Sequence, residues 1–321
     1  MTAPPAAAAD AVFAAHERHL WALCYRMSGV AADADDLVQE TFLRFVERPP
    51  RDPAGPLRPW LVRVAMNLAR DLLRRRRRRR YVGPWLPAAV ETDAAEASVH
   101  EPSHEPASTE GRYDLLESVG FAFLLALEAL TPQQRAVLLL RDVFDYPVRA
   151  AAAALGTSEA NVKVLHHRAR RRMAAYDRTR RPPTRDLADA TRVALVTFVA
   201  GITRGDVAAV EALLAADVRA ISDGAGEFHA ARRIVVGRTR VARFFIGLAR
   251  RRPATLATTL RTVNGLPALV VEFGPGLRGD PPRGVIRLDL DADGRIAAVH
   301  AVLATRKLAA VRFADPPPVG R

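Results

Sequence analysis

The chain has 321 residues, more than one ordinary domain holds, so two or three domains are expected. Hydrophobic residues make up 49%, which excludes global disorder, and a net charge of +13 points to a polyanionic partner, most often nucleic acid. Lys163 and Lys307 are the only lysines; an Arg bias with abundant Ala, Pro and Gly is also what a GC-rich genome produces, so charge alone decides nothing.

Cys24 is the only cysteine, so no internal disulfide can form, and no Cys/His cluster has zinc spacing; a reducing cytosol fits and Cys24 reads as a small core residue. The N-terminus lacks a charged start followed by a long apolar run, so no secretory leader is expected. No stretch approaches the ~20 apolar residues of a membrane span.

Residues 10–81 read as helical. Asp10 is expected to cap a first helix carrying Phe13, Leu20, Leu23 and Met27, with Gly29 closing it. A second helix, to about Glu47, contains Asp33-Ala34-Asp35-Asp36-Leu37-Val38-Gln39-Glu40-Thr41-Phe42. Val38, Phe42, Phe45 and Val46 form an apolar stripe at helical spacing, and Asp35, Asp36, Gln39 and Glu40 project from the other side. That acidic face gains nothing at DNA phosphates and suits a basic protein partner.

Pro49, Pro50, Pro53 and Pro56 then break the chain. Pro59 suits the first turn of a third helix, on which Leu61, Val64, Leu68 and Leu72 repeat at i, i+3, i+7 and i+11. It runs into an unbroken arginine run, Arg74 to Arg80. A charge run is usually a solvated face, but this one extends an amphipathic helix and so reads as a DNA-backbone contact.

Residues 82–112, rich in Pro, Ala, Ser, Glu and His, read as a linker with an apolar island, Tyr81-Val82-Gly83-Pro84-Trp85-Leu86-Pro87. A solvated linker rarely exposes a Trp without reason.

Residues 113–178 are helical again, with Phe121, Leu124, Leu125, Leu127 and Leu130 on an apolar face. Thr131-Pro132-Gln133-Gln134 has the form of a capping box with Pro at the first helical position, and Val137, Leu138, Leu140 and Val143 populate the helix it starts. Tyr146–Met173 reads as a helix-turn-helix: a short helix around Val148–Leu155, a Gly156 turn, and a basic helix capped by Thr157 or Ser158, with Glu159 suiting its dipole. Asn161, Lys163, His166 and His167 are placed to reach base edges, and Arg168, Arg170, Arg171 and Arg172 suit phosphates. Ala150 to Ala154 sit where larger apolar residues usually pack, which lowers the expected stability.

After Arg180-Arg181-Pro182-Pro183 the pattern changes. Helices at about 187–203 and 206–215 precede alternating runs at Thr255–Val263, Ala268–Phe273, Val285–Leu290 and Ile296–Leu303. Asn264-Gly265 and Asp291-Ala292-Asp293-Gly294 read as tight reversals. Helices followed by an antiparallel meander imply an α+β domain.

Together these segments resemble a bacterial sigma factor of the extracytoplasmic-function (ECF) type. The region-two resemblance spans residues 11–81 and includes the acidic segment quoted above and Pro59-Trp60-Leu61-Val62-Arg63-Val64-Ala65-Met66-Asn67-Leu68-Ala69-Arg70-Asp71. The region-four resemblance spans about 118–176 and includes Leu130-Thr131-Pro132-Gln133-Gln134-Arg135-Ala136-Val137 and Val162-Lys163-Val164-Leu165-His166-His167-Arg168-Ala169-Arg170. It implies that Asp35, Asp36, Gln39 and Glu40 dock on the clamp helices of the RNA polymerase largest subunit. Arg63, Asn67, Arg70, Arg74, Arg75 and Arg76 are implied at the −10 element. Ser158, Asn161, Lys163, His166, His167, Arg168, Arg170 and Arg171 are implied at the −35 element, with region four also reaching the polymerase flap.

Residues 185–310 resemble a SnoaL-like domain of the NTF2-like cone fold. The chain is thus similar to the ECF class with a fused SnoaL-like extension. That class carries Trp-Leu-Pro-Glu-Pro, Asp-Gly-Gly-Gly-basic and Asn-Pro-x-Lys-Leu motifs. Here the matching segments are Trp85-Leu86-Pro87-Ala88-Ala89, Asp223-Gly224-Ala225-Gly226-Glu227 and Thr305-Arg306-Lys307-Leu308. All three depart from the pattern, and Glu227 reverses a charge. The resemblance implies interdomain regulation through Trp85, Leu86, Pro87, Asp223, Gly224, Lys307 and Leu308.

The expected architecture is therefore multidomain: a region-two bundle at 10–81, the 82–112 linker, a region-four helix-turn-helix at 113–178, and an α+β cone at 185–310. The expected function is promoter-directed transcription initiation in the cytoplasm, without enzymatic activity, cofactor, metal or membrane. Two other readings are a helix-turn-helix regulator independent of polymerase and a SnoaL-type enzyme with a DNA-binding appendage. By residue type, Asp223, His229, Asp289 and His300 are the candidates for catalysis, but no acid/base pair has recognisable spacing. A cone pocket that takes a small ligand without turnover is the expectation for the tail.

Overall fold

The computed structural model describes residues 6–50, 55–78, 81–92, 112–251 and 255–313. They fall into two compact units: one holds residues 1–80 and 94–182, the other 81–93 and 183–321.

In the first unit, α1 (Ala6–Ser28), α2 (Ala31–Glu47) and α3 (Leu57–Arg78) pack on one another. Asp10 lies inside α1 rather than capping it. Gly29 ends that helix at φ 71°, where an L side chain would be strained. On α2 the buried face is Ala31, Ala34, Leu37, Val38, Thr41, Phe42 and Phe45, a helical period against α1. Val46 is exposed, one position off that face. On α3, Leu61 and Leu68 are buried, but Val64 and Leu72 are only half-buried. The deep face is Val62, Ala65, Met66, Ala69 and Leu73, because α3 is covered on more than one side. Arg79 and Arg80 lie outside the described residues.

Next come α4 (Leu115–Ser118), α5 (Phe121–Ala126) and α6 (Pro132–Leu138), the last continuing into a π turn at Leu139–Val143. The capping box at Thr131 is formed in both directions: Gln134 N donates to Thr131 Oγ1 (3.2 Å), and Thr131 N donates to Gln134 Oε1 (3.0 Å). The helix-turn-helix is α7 (Val148–Leu155) and α8 (Glu159–Thr179), joined through Gly156 at φ 62°. Ala151, Ala152 and Ala154 are buried. Their small side chains let α7 lie close to α3 and α8, so the alanines suit a close helix approach rather than marking an underfilled core.

The second unit starts with α9 (Arg185–Arg204), capped by Thr184 and closed by Gly205, and α10 (Val207–Leu213), capped by Asp206. Then follow β1 (Leu214–Asp223), β2 (Val235–Val236), α11 (Arg238–Arg251), β3 (Thr255–Val263), β4 (Leu266–Phe273), β5 (Arg283–Leu290) and β6 (Ile296–Val302). The sheet order is β2-β1-β6-β5-β4-β3. The β3–β6 run is the expected meander, but β1 pairs parallel to β6, so the sheet is mixed. The three helices cover one sheet face through Leu195, Phe198, Val210, Val241, Phe245 and Ile246, packed on Leu269, Val271, Leu288 and Val299.

Residues 82–92, expected as linker, and Tyr81, expected at the end of region two, are built into this unit. Ala89 N donates to the Lys307 carbonyl (2.9 Å), Asn264 N to the Val90 carbonyl (2.8 Å) and Thr92 N to the Thr262 carbonyl (3.0 Å). Leu86, Pro87, Ala88 and Ala89 are buried. This strap satisfies its backbone polar groups on the sheet, as buried backbone must.

Candidate polymerase and promoter interfaces and the strap clasp

The acidic face forms because α2 turns its apolar period inward. Asp35, Asp36 and Gln39 are exposed, and Glu40 is half-exposed beside Arg44 (3.0 Å). Trp21 Nε1 donates to Asp35 Oδ1 (2.6 Å). Leu43 and Val46, 56% and 37% exposed, lie on the same helix and add apolar area to the carboxylates. Acidic and apolar groups together fit a protein surface better than a polyanion.

On α3 the six expected −10 residues divide. Arg74 pairs with Asp71 (2.9 Å), Arg70 with Asn67, and Arg75 is exposed. Arg63 and Arg76 are engaged inside the unit instead. Arg63 Nε and Nη2 donate to the Ala153 carbonyl on α7 (2.9 and 2.6 Å). Arg76 donates to the Ser28 carbonyl (2.7 Å) and pairs with Glu128 (2.6 Å). Glu128 also pairs with buried Arg135 (2.7 Å), which donates to the Met27 carbonyl. Burial raises the Glu128 pKa, but Arg135 and Arg76 outweigh it and hold the carboxyl below its usual range.

The recognition helix α8 is capped by Ser158, which accepts from Asn161 N (3.2 Å). Thr157 accepts from the Asn161 side chain instead (2.8 Å). Ser158, Asn161, Lys163, His167, Arg168, Arg171 and Arg172 are exposed. His166 and Arg170, expected at DNA, are bound to Asp142. His166 Nε2 lies 2.7 Å from its Oδ1, and Arg170 donates to both oxygens (2.8 and 3.1 Å). Asp142 is buried; burial raises its pKa, and these two partners overcome that to keep it below the usual range. The helix-turn-helix thus has an internal charged pin that sets the orientation of α8, and Asp142 carries no sequence signal that finds it.

In the second unit, Asp223 is the organising residue. It is 1% exposed. Its carboxylate accepts from Tyr81 OH (2.6 Å), Leu86 N (2.7 Å) and Ala225 N (3.0 Å), and it pairs with Lys307 Nζ (2.5 Å). Lys307 Nζ also donates to the Leu86 carbonyl (2.5 Å) and lies 4.6 Å from the Trp85 ring centre and 4.8 Å from that of Tyr81. Asp223, Lys307, Trp85 and Leu86, 222 positions apart at the extremes, therefore form one clasp. Gly224 sits against the Phe228 carbonyl, where a Cβ would lie at 2.8 Å. Pro87 and Leu308 are buried beside these residues in sequence. Glu227, the reversed charge, accepts from Thr305 N (2.9 Å) and holds the segment before Lys307. Asn264 adds a second hold that sequence reading assigned only to a turn: its Oδ1 accepts from Val90 N (3.0 Å).

The helices and sheet enclose a cavity of about 690 Å³. Ser222, Ala301, Leu303, Gly284 and Ile286 line it. Strand alternation therefore turns their neighbours Asp223, His300, Arg287 and Asp289 to the opposite sheet face. Of the four catalytic candidates only His229 reaches the cavity, at its exposed rim, with Asp280 Oδ1 3.6 Å away. His300 is buried, and burial lowers its pKa to about 4, against the raising influence of Asp289. No group of three or more His, Cys, Asp or Glu residues could hold a metal among the described residues.

Residues 12–79 match the family model Sigma-70 region 2, and residues 121–173 match Sigma-70, region 4. Among curated relatives, the ECF RNA polymerase sigma factor SigJ of Mycobacterium tuberculosis is 35% identical, over 83% of this chain and 82% of its own length. The probable ECF RNA polymerase sigma factor SigI of the same species is 30% identical, over 92% of each. The crystal structure of SigJ superposes with a TM-score of 0.69 at 30% identity, covering 94% of this chain and 98% of its own. The chain belongs to the ECF RNA polymerase sigma factors. Its two sigma regions are followed by an NTF2-like α+β domain, as in that neighbour.

Proposed function

We propose that this sigma factor docks on the clamp helices of the polymerase largest subunit through Asp35, Asp36, Gln39 and Glu40, with region four reaching the flap. Region two covers 10–81 and faces the −10 element with Asn67, Arg70, Arg74 and Arg75. Region four covers 113–178 and faces the −35 element with Ser158, Asn161, Lys163, His167, Arg168 and Arg171. The carrying observation is α8: it is capped at Ser158, oriented by Asp142, and exposes its polar N-terminal half, the geometry with which a recognition helix enters a major groove. Arg63 and Arg76 reach DNA in this reading only if they leave Ala153 and Glu128.

The C-terminal domain, 185–310 with its strap, regulates the sigma regions in cis without catalysis. Its support is the clasp, which ties the chain just after region two to Asp223 and Lys307. A device there acts on transcription only if it favours one arrangement of the flanking regions over another. The cavity takes a small ligand without turnover: Asp223, Asp289 and His300 face away from it, and His229, with Asp280 beside it, sits only at its exposed rim. The reading places the protein in the cytoplasm, where the polymerase is; no helix among the described residues is long and apolar enough to cross a membrane.

Run-off transcription with core polymerase, on promoters selected from a random library, tests the assignment. Charge reversal at Asp36→Lys and Glu40→Lys juxtaposes like charges at a basic partner, a change of several kcal/mol in a close interface. Loss of core binding with unchanged circular dichroism is expected; normal core binding removes α2 as the docking face. Deletion after Pro183 is expected to change promoter activity while core binding persists; identical activity of the two forms removes cis regulation.

A further inference from the structure

We propose that the cavity of the C-terminal domain is a receptor for a molecule with an apolar body and an acidic head group, and that its occupancy is linked to the strap clasp. This rests on the reading of the domain as regulatory and non-catalytic.

The body of the ligand follows from the lining. The volume, about 690 Å³, lies in the range of roughly 300–1,000 Å³ that holds drug-sized molecules. The interior walls are Val199, Phe244, Phe245, Leu269, Val271 and Ile286, and they offer an apolar guest nothing to leave unpaired. A polar guest would lose its hydration there without replacement.

The head group follows from the rim. Arg204 and Arg250 line the cavity at its exposed end, and no Asp or Glu lines it among the described residues. Both arginines are exposed, and neither has a carboxylate partner among the described residues. The Arg250 guanidinium rests over Gly205, where a Cβ would lie 3.1 Å from Nη2. The glycine that closes α9 thus also leaves room for this cation at the opening. Two arginines at one end of an apolar cavity select an anion, by carboxylate or phosphate geometry, and reject a cation. His229 also lines the cavity, but it lies beside Asp280 (3.6 Å), so the selection of an anion rests on the two arginines.

The link to the clasp runs through two strand ends. Ser222 lines the cavity, and the next residue, Asp223, holds Tyr81, Leu86 and Lys307 on the other sheet face. Leu303 also lines the cavity, and its N donates to the Asp223 carbonyl (2.9 Å). Leu303 has little room to retreat sideways: a Cβ on Gly284 would lie 2.9 Å from its Cδ2. A guest pressing on Ser222 and Leu303 therefore acts on the backbone that positions Asp223. Any resulting preference between clasp states is reciprocal: the clasp changes ligand affinity by the same factor.

The test uses the full-length protein and three probes, each at concentrations where it is dissolved as the monomer: dodecanoate, dodecanol and dodecyltrimethylammonium. Calorimetric titration is expected to show saturable, one-to-one binding of dodecanoate, weaker binding of dodecanol and none of the cation. Arg204→Ala with Arg250→Ala is expected to weaken dodecanoate by about tenfold or more and leave dodecanol unchanged, as loss of charge-assisted hydrogen bonds requires. Thr258→Trp, at an exposed lining position, is expected to block both. Hydrogen exchange of residues 81–92 is expected to change on dodecanoate addition in the wild type and not in Thr258→Trp. Dodecanoate binding weaker than about 1 mM, equal affinity for dodecanol, or binding untouched by Thr258→Trp overturns the site. Unchanged exchange at saturation overturns the link. None of these measurements contains polymerase, so failure here is separate from failure of the promoter-binding assignment, which is read by run-off transcription.

Discussion

Asp223→Ala is the sharpest perturbation of the clasp. The carboxylate is fully buried and Lys307 is 5% exposed, so removing it strands an ammonium group beside the Leu86 carbonyl and two aromatic faces. Breaking a buried pair from one side costs about 3–5 kcal/mol, because the surviving charge stays desolvated. Lys307→Met keeps the volume and leaves a carboxylate that still accepts from Tyr81, Leu86 and Ala225, so its expected cost is smaller, about 1–3 kcal/mol. The double variant strands no charge and should cost less than the sum of the two by about 2 kcal/mol, a coupling typical of residues in one network. The assay is hydrogen exchange read on peptides covering residues 81–92, which reports local opening and does not require the two units to unfold together. Exchange of the strap in Asp223→Ala equal to wild type, or strict additivity of the two substitutions, refutes the clasp as the element that holds the strap.

Other outcomes follow from the same geometry. Lys163→Ala should change which −35 sequences are accepted, by about 1–3 kcal/mol at one base pair, while Arg171→Ala should weaken all promoters alike and reduce the salt slope by about one; selection on a randomised −35 library at several salt concentrations separates them. His300 is kept neutral in the folded state, with its pKa moved from 6.5 to about 4. The unfolded chain therefore binds the extra proton first as pH falls, and stability should drop by about 3 kcal/mol between pH ~6.5 and ~4; His300→Asn should remove that part of the slope in urea titrations across pH. Thr131→Ala opens the capping box of α6 and should cost about 1 kcal/mol, measured as a shift in the urea midpoint of the sigma unit.

The helical half was legible because its signals are local. The capping box at Thr131, the αL glycine at 156 and the period of α2 each depend on residues within one or two turns, so proximity in sequence is proximity in space. In the same way Asn264 and Gly265 take positive φ values of 51° and 81°, the conformation a two-residue hairpin demands. Legibility ended where partners are distant. α11 and β1 were not read from sequence, although Val241, Phe245 and Ile246 carry a helical period. β1 owes its strand state to a parallel partner, β6, more than 70 residues later, and no local pattern encodes such a pairing.

The candidate sites divide along the same line. Residue type and spacing were enough to nominate the acidic face of α2, the basic face of α8 and the Asp223 and Lys307 segments. Which arginines and histidines remain outward was decided by tertiary packing alone. Arg63 meets a carbonyl exposed by α7, Arg76 meets Glu128, and His166 and Arg170 meet Asp142. A sequence names the charge that a side chain carries; only the fold brings up the opposite charge, and a buried carboxylate binds a neighbouring cation because it has lost its water.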